Sequence, residues 1–497
     1  MKNTITKLLA LLLVFALSFG IVSCGPKDNG GSGNNGGEID EDLADELAGI
    51  TNDTIWVGNT AGTTGLLATI GAPFNLGIEA AFAAYNKAGG YNGKKIALKH
   101  YDDGGVATNS VTELEKLVYE DEVFAIVGQF GSYSVDSALE VLKDENVPMI
   151  YAAAGNNALF NSNATSLADK GIFPVQPLNV TEGRMLILRA FAPADKGGLA
   201  ANKVGVISNS NEASQALLQG IKAEVAESKL DESKIVYQNV ASADYSAAVN
   251  ALKAAGCDVV VLTVIGSDFI TSLTTMADAE YKCAVLTSYN NASASVFNDA
   301  DTKMIPAYEK IFSTMAIFTQ AWLDITSTEY IFKDDSSALY QAYKSLALVY
   351  AKDENGKLVE QGVAGFTEDY WVVANNIYDY ALTVDKTKAF AMSYDAYALA
   401  GYIAGDLFCQ GMEALEKSGK ALSRANLVAV MESQEFQIAM ANKISFANGL
   451  RAGVDSFALT MFFDVNAYDS TKDHSASSTT VHTLTSIEDY RKLVAGK

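Results

Sequence analysis

The sequence predicts an α/β protein made of two similar, doubly wound lobes, each around a parallel sheet. Two observations carry that prediction. From Thr54 to Tyr151 strand-like and helix-like stretches alternate, and after about residue 176 the same alternation restarts. One strand candidate, Val123–Val127, is a continuous apolar run, as expected for a strand covered by helices on both faces. At 497 residues, with 49% hydrophobic residues and only 7 prolines, the chain has room for two or three domains with sizeable cores.

Each element follows from its pattern. Ile55-Trp56-Val57 reads as a strand, and Pro73 to Lys87 as an amphipathic helix carrying Ala80, Ala81, Phe82 and Ala84. Lys95 to Tyr101 is strand-like, and Val106 to Tyr119 sets Leu114, Leu117 and Val118 on one helical face. Val123 to Val127 is an apolar strand, Tyr133 to Glu145 a helix, and Val147 to Tyr151 a strand. The second half offers strands at Lys203–Ile207, Lys234–Val240, Asp258–Val264 and Cys283–Thr287. Helices at Glu212–Glu227, Tyr245–Ala255 and Ser267–Ala279 separate them. The result is a pair of Rossmann-like lobes, and a cleft between two such lobes suits a small molecule, because strand carboxyl ends and helix N-termini face it.

Composition removes several function classes. Lys plus Arg number 36 against 59 Asp plus Glu, a net charge of −23, and no basic run is present to grip a nucleic acid. Cys24, Cys257, Cys283 and Cys409 make no CxxC pair, and His100, His474 and His482 make no HExxH. No GxSxG, GxxxxGK[ST] or GxGxxG occurs, so neither a nucleophile elbow nor a phosphate loop is expected. Asp102-Asp103 tempts an acid/base reading, but neighbours on a strand point to opposite faces. No metal, no cofactor and no catalytic residue is expected.

The N-terminus reads as an export signal. Lys2 and Lys7 precede the apolar run Leu8–Phe19, which is too short to span a bilayer. Ile21-Val22-Ser23-Cys24 then resembles a bacterial lipobox, with Cys24 as the lipidated first residue of the mature chain and an ordinary signal peptide as the alternative. Residues 1–23 are thus the signal, and the Gly- and Asn-rich stretch within 24–53 is a flexible, acidic tether.

A family resemblance rests on five segments in order. Asn86-Lys87-Ala88-Gly89-Gly90-Tyr91-Asn92-Gly93 with Asp102-Asp103 resembles the "N-x-A-G-G-x-x-G…D-D" signature of the branched-chain amino acid (Leu/Ile/Val) binding proteins of ABC importers. Val127–Ser132, Asn146–Ile150, Tyr245–Asp258 and Leu415–Gly419 resemble further motifs of that family. The resemblance spans 54 to about 465, with an extra segment around 326–385. It implies the type I periplasmic-binding-protein fold, with lobe 1 at 54–175 plus 318–446 and lobe 2 at 176–317 plus 447–497. The crossovers would fall near 174–178, 314–318 and 445–450.

The resemblance also implies ligand contacts. Ser132 falls where the family binds a carboxylate, at a strand-to-helix turn with free backbone NH groups; a plain helix cap is the other reading. Ala153, Ala154 and Gly155 form the next contact loop, with Gly155 where the family carries a Thr. Ile70 falls near the residue that packs over the ligand side chain. In lobe 2, Ala213 and Ile265 replace frequent aromatic contacts, and the acid that pairs with an ammonium aligns near Tyr289. Trp322 can reach the cleft or pack in the core. With the ammonium-binding set incomplete, an amino acid, a related carboxylate or an amide all stay open as ligand.

The expected protein is a monomeric, lipid-anchored, extracytoplasmic solute-binding protein that hands a small ligand to an ABC permease. A sensor lipoprotein on the same fold is the alternative. A hydrolase would need a nucleophile or paired carboxylates in the cleft.

Overall fold

The computed structural model describes residues 46–292, 297–298, 303–308, 311, 317–321, 326–327, 348–352, 358–363, 365–464, 471 and 473–496. Cys24, the signal and most of the tether lie outside those residues, as does Trp322. Both lobes belong to one compact unit.

The first lobe alternates strand and helix as expected. Its elements are β1 (Thr54–Ala61), α1 (Ala68–Lys87), β2 (Lys95–Asp102), α2 (Ala107–Tyr119), β3 (Ala125–Phe130), α3 (Ser132–Asp144), β4 (Met149–Ala153) and the short β5 (Ile172–Phe173). The strands form a parallel sheet in the order β2-β1-β3-β4-β5. All six residues of β3 are buried, which is why its sequence does not alternate.

The second lobe repeats the order. It contains α4 (Asn179–Phe191), β6 (Val204–Asn209), α5 (Glu212–Glu227), β7 (Ile235–Val240), α6 (Ser246–Ala254), β8 (Val259–Leu262), α7 (Ser267–Asp278), β9 (Ala284–Thr287) and β10 (Ile317–Ala321). Its parallel part runs β7-β6-β8-β9-β10, the first sheet strand for strand. Each lobe therefore has its first strand second from one edge of the sheet and its switch point beside that strand.

The later chain serves both lobes. Helices α8 (Glu368–Val384), α9 (Ala396–Ser418) and α10 (Arg424–Met431) pack into the first core. Strands β11 (Ser456–Asp464), antiparallel to β10, and β12 (Ala476–Ser486), antiparallel to β11, then extend the second sheet, and α11 (Ile487–Val494) closes that lobe. A short hairpin pairs Leu348–Lys352 with Leu358–Val363 in the extra segment.

One expected boundary moves. Strand β10 hydrogen-bonds to β9 and β11, so the chain is still in the second sheet at Ala321, beyond the crossover expected at 314–318. An apolar strand carries no local mark of which sheet it will join; that is decided by partners far along the chain.

The first and third crossovers run side by side. Val454 N donates to Val175 O at 2.9 Å, and Thr181 Oγ1 donates to Ala452 O at 2.9 Å. Arg451 clamps this region: its guanidinium lies 4.7 Å from the Phe173 ring and 5.6 Å from Phe446, and is only 1% exposed. It donates to Glu432, Phe446 O and Lys170 O, so the buried charge is both paired and hydrogen-bonded.

Candidate functional site: the loops at the strand carboxyl ends

Ser132 is the first helical residue of α3, and Gly131 is the N-cap, without any side-chain capping bond. The plain-cap reading of Ser132 is thus not what the structure shows. Gly131 has φ 92°, and a Cβ there would sit 2.3 Å from the Tyr133 ring, so the turn needs glycine. The Ser132 side chain is exposed at a helix start, where first-turn NH groups have no intrahelical acceptor.

A buried polar network holds that turn. Gln129 Nε2 donates to Thr60 Oγ1 at 2.7 Å and to Ser134 Oγ at 3.2 Å. Ser134 Oγ in turn donates to Phe130 O at 2.7 Å. The second lobe has a counterpart: Ser214 Oγ lies 2.8 Å from Thr263 Oγ1 and accepts from Asn209 N at 3.1 Å. Side chains that settle buried backbone groups in this way make a turn rigid.

Asp102 and Asp103 serve these loops rather than acid/base chemistry. Asp102 accepts from Thr63 N, Thr64 N and Thr64 Oγ1. Partial burial works against its charge, but those donors hold its pKa down to about 2. Asp103 is fully buried and accepts from Tyr133 Oη at 2.9 Å.

The next loop leaves β4 through a paired irregularity. Tyr151 has φ 59° and Gly128 beside it on β3 has φ 75°, and the strand register resumes on either side of them. A bulky residue in the left-handed region is costly and survives only where its surroundings hold it; Tyr151 is fully buried, its ring 6.0 Å from that of Phe74. Ala153 is half-buried, and Ala154 and Gly155 are buried.

Gly155 is explained by its neighbour. A Cβ at this position would lie 2.8 Å from Asn179 Oδ1, so the space of a side chain at 155 is already taken from α4. Asn179 N also donates to Gly155 O at 3.1 Å.

In the second lobe, Tyr289 starts a short helical turn after β9. Its hydroxyl accepts from Gln176 Nε2 at 2.6 Å and donates to Pro177 O at 3.2 Å. The phenol is therefore committed to the first crossover. The carboxylate of this region is Glu182, fully buried on α4: Oε2 accepts from Ser288 Oγ at 2.7 Å and Oε1 from Tyr289 N at 2.6 Å. Burial pushes its pKa up to about 8, against the pull of those two donors. A carboxyl group thus lies beside Tyr289, but it comes from a residue more than a hundred positions earlier and both its oxygens are already engaged by Ser288 and Tyr289. The one hint in the sequence is that Glu182 is the first charge after Lys170 in the stretch 171–183.

The remaining candidates are in register with these. Ile70 lies half-buried in the first turn of α1 and packs on the first core. Ala213 is half-buried in the first turn of α5, and Ile265 half-buried between β8 and α7. All therefore lie at carboxyl ends of parallel strands or the helix starts that follow. The lobes also touch directly, Asn157 Nδ2 donating to Gln219 Oε1 at 3.0 Å. Among the described residues no group of His, Cys, Asp and Glu could hold a metal ion.

Two parallel-sheet lobes of one winding, joined by paired crossovers, define a two-lobed α/β binding scaffold. A family model described as periplasmic binding protein matches residues 54–331, more than half of the chain, and the chain belongs to that family. It is a family of extracytoplasmic binding proteins, not of enzymes. Curated relatives include the "Amino acid binding protein" of Pseudomonas aeruginosa, 27% identical over 210 residues, 41% of this chain and 52% of that protein. A "Leu/Ile/Val-binding protein homolog 2" of Brucella abortus is 28% identical over 223 residues, 43% of this chain and 55% of that one. The matches thus span about half the length of these relatives. Among solved structures, a fatty acid ABC transporter substrate-binding protein from Thermomonospora curvata aligns with TM-score 0.58 at 16% identity, covering 90% of this chain and 96% of that one. A branched-chain amino acid ABC transporter protein from Thermus thermophilus with bound valine aligns with TM-score 0.57 at 12% identity, covering 89% and 99%. At such identities the two structures speak for the fold. Among the described residues no helix is long and apolar enough to cross a membrane.

Proposed function

We propose that the chain is a lipid-anchored solute-binding protein that captures a small ligand, an amino acid or a related carboxylate or amide, and delivers it to an ABC import permease. The observation that carries the reading is Ser132, exposed on a helix start that a buried network holds in place, with the 153–155 loop beside it. Exposed hydroxyl and NH donors there suit a carboxylate. Ile70, Ala213 and Ile265 would enclose the ligand's remainder, and Trp322 is a further candidate. Contacts to both lobes would favour the closed form, since only differential affinity moves a two-state equilibrium.

A thermal-shift screen of amino acids, carboxylates, amides, short peptides and sugars tests it. A ligand at 100 times its Kd adds about 2.7 kcal/mol of stability, so a clear rise in Tm is expected for at least one class. Silence across the whole panel would favour the sensor reading over transport. Ser132→Ala should weaken the ligand found by about tenfold, roughly 1.4 kcal/mol, with the apo Tm unchanged, because the hydroxyl caps nothing. Titration calorimetry of the pair reads this directly.

The anchor has its own test. Cys24→Ser should move the protein from the detergent phase to the aqueous phase in a cloud-point separation. An unchanged partition would remove the lipid from the proposal.

A further inference from the structure

Asn179 stands where the two ligand loops meet. It is 6% exposed, fills the space of a side chain at Gly155, and takes the Gly155 carbonyl on its own backbone NH. Asn290 Nδ2, from the second-lobe loop, reaches its Oδ1 at 3.5 Å. The Asn179 Nδ2 makes no hydrogen bond among the described residues, and on a residue only 6% exposed it is not one of the fully sealed polar atoms. A donor that stays reachable on an otherwise buried side chain can take an acceptor brought from outside.

The surrounding charges restrict what can arrive. The loops 152–156 and 288–292 contain no acidic residue. Glu182 has both oxygens occupied by Ser288 and Tyr289 and no exposure. Asp136, one turn beyond Ser132 on α3, accepts from Asn156 Nδ2 at 3.1 Å. Beside Asn179 itself an ammonium would meet neutral amides, the exposed Asp136 carboxyl standing at the Asn156 end of the loop, whereas a carbonyl or hydroxyl oxygen would meet the Asn179 Nδ2 donor.

We propose that Asn179 sets the ligand class: the cleft prefers a small carboxylate whose neighbouring group is neutral, a 2-oxo or 2-hydroxy acid, over the 2-amino acid with the same side chain. This rests on the capture reading above. A ligand oxygen on Asn179 Nδ2 would also touch the residue that joins the 155 loop to the 290 loop, so recognition and lobe closure would share one side chain.

Titration calorimetry on the purified full-length chain tests it with matched sets: leucine, 4-methyl-2-oxopentanoate and 2-hydroxy-4-methylpentanoate, then the valine and phenylalanine equivalents. In at least one set the oxo or hydroxy acid is expected to bind ten times tighter than the amino acid or better. Asn179→Asp should shift that ratio at least tenfold towards the amino acid. The native ratio needs no variant, so the proposal stays testable should Asn179→Asp fail to fold. An amino acid that binds as tightly as its oxo and hydroxy partners, or tighter, overturns the proposal and leaves capture intact. Absence of binding throughout the sets also overturns it, while the capture reading falls only with the broader panel.

Discussion

Gly401→Ala is expected to lower the stability of the first lobe by about 3 kcal/mol or more, a large effect for one added methyl. Helices α1 and α9 cross there with their backbones in contact. A Cβ at Gly401 would lie 1.8 Å from Phe74 O, and the reciprocal Cβ at Gly77 would lie 2.0 Å from Ala398 O. Backbone cannot rotate away as a side chain can, so the helices must separate. Separation would loosen Phe74, Ile78, Phe82 and Phe408, which belong to one buried cluster. The same helix supplies the comparison. A Cβ at Gly411 would meet Met431 Sδ at 2.7 Å, the end of a flexible thioether. Alanine's better helix propensity, worth up to about 1 kcal/mol, should leave Gly411→Ala close to neutral. Urea denaturation of both variants reads the difference; equal losses would contradict a role for close backbone approach. The second lobe repeats the device, since a Cβ at Gly183 would lie 2.0 Å from Leu217 O and one at Gly220 2.0 Å from Val180 O.

What the sequence made legible was whatever is local and periodic. Buried parallel strands are written as apolar runs, and the β3 and β8 runs stand out for that reason. The repeat of β-α order could be read without any partner being known. Allegiance of β10 to the second sheet could not, because five residues pair equally well with either sheet until β9 and β11 are in place. Candidate site residues were found by position along the chain, and each described one lies at a strand end or helix start. Their chemistry was less legible. The change at Gly155 read as the loss of a contact, yet its space is filled by Asn179, 24 residues later and on the other side of a crossover. Tyr289 read as a stand-in for an acid, while its hydroxyl turns to Gln176 and Pro177. Long-range polar pairs leave no periodic trace, so sequence patterning does not reveal them.

Stability should fall as pH rises from about 5 to about 8, and Glu182→Gln should remove the Glu182 share of that fall. Asp406, pushed up to about 6 by burial, contributes the same way in both proteins. The Glu182 carboxyl has its pKa pushed up to about 8 from an ordinary value of 4.5, because burial opposes its charge. Below the lower value the group is protonated in both states and contributes no pH dependence. Between the two values the folded chain keeps a proton that the unfolded chain has lost, so rising pH favours unfolding by up to about 1.4 kcal/mol per unit. Above about 8 both states are ionised and the slope ends. His100, whose pKa burial lowers, acts in the opposite sense, but it is present in both proteins and cancels in their difference. A glutamine keeps the neutral shape: its carbonyl can accept from Tyr289 N and its NH2 can donate to Ser288 Oγ. Native and variant curves should therefore lie close together near pH 5 and separate towards pH 8, with the variant the more stable. Parallel curves in urea titrations at pH 5, 6, 7 and 8 would refute the assignment. The effect bears on the junction between the lobes, because Glu182 anchors the backbone of Tyr289 and Tyr289 anchors the crossover. Ionising Glu182 therefore places a buried charge directly on the loop that carries Tyr289 to the first crossover.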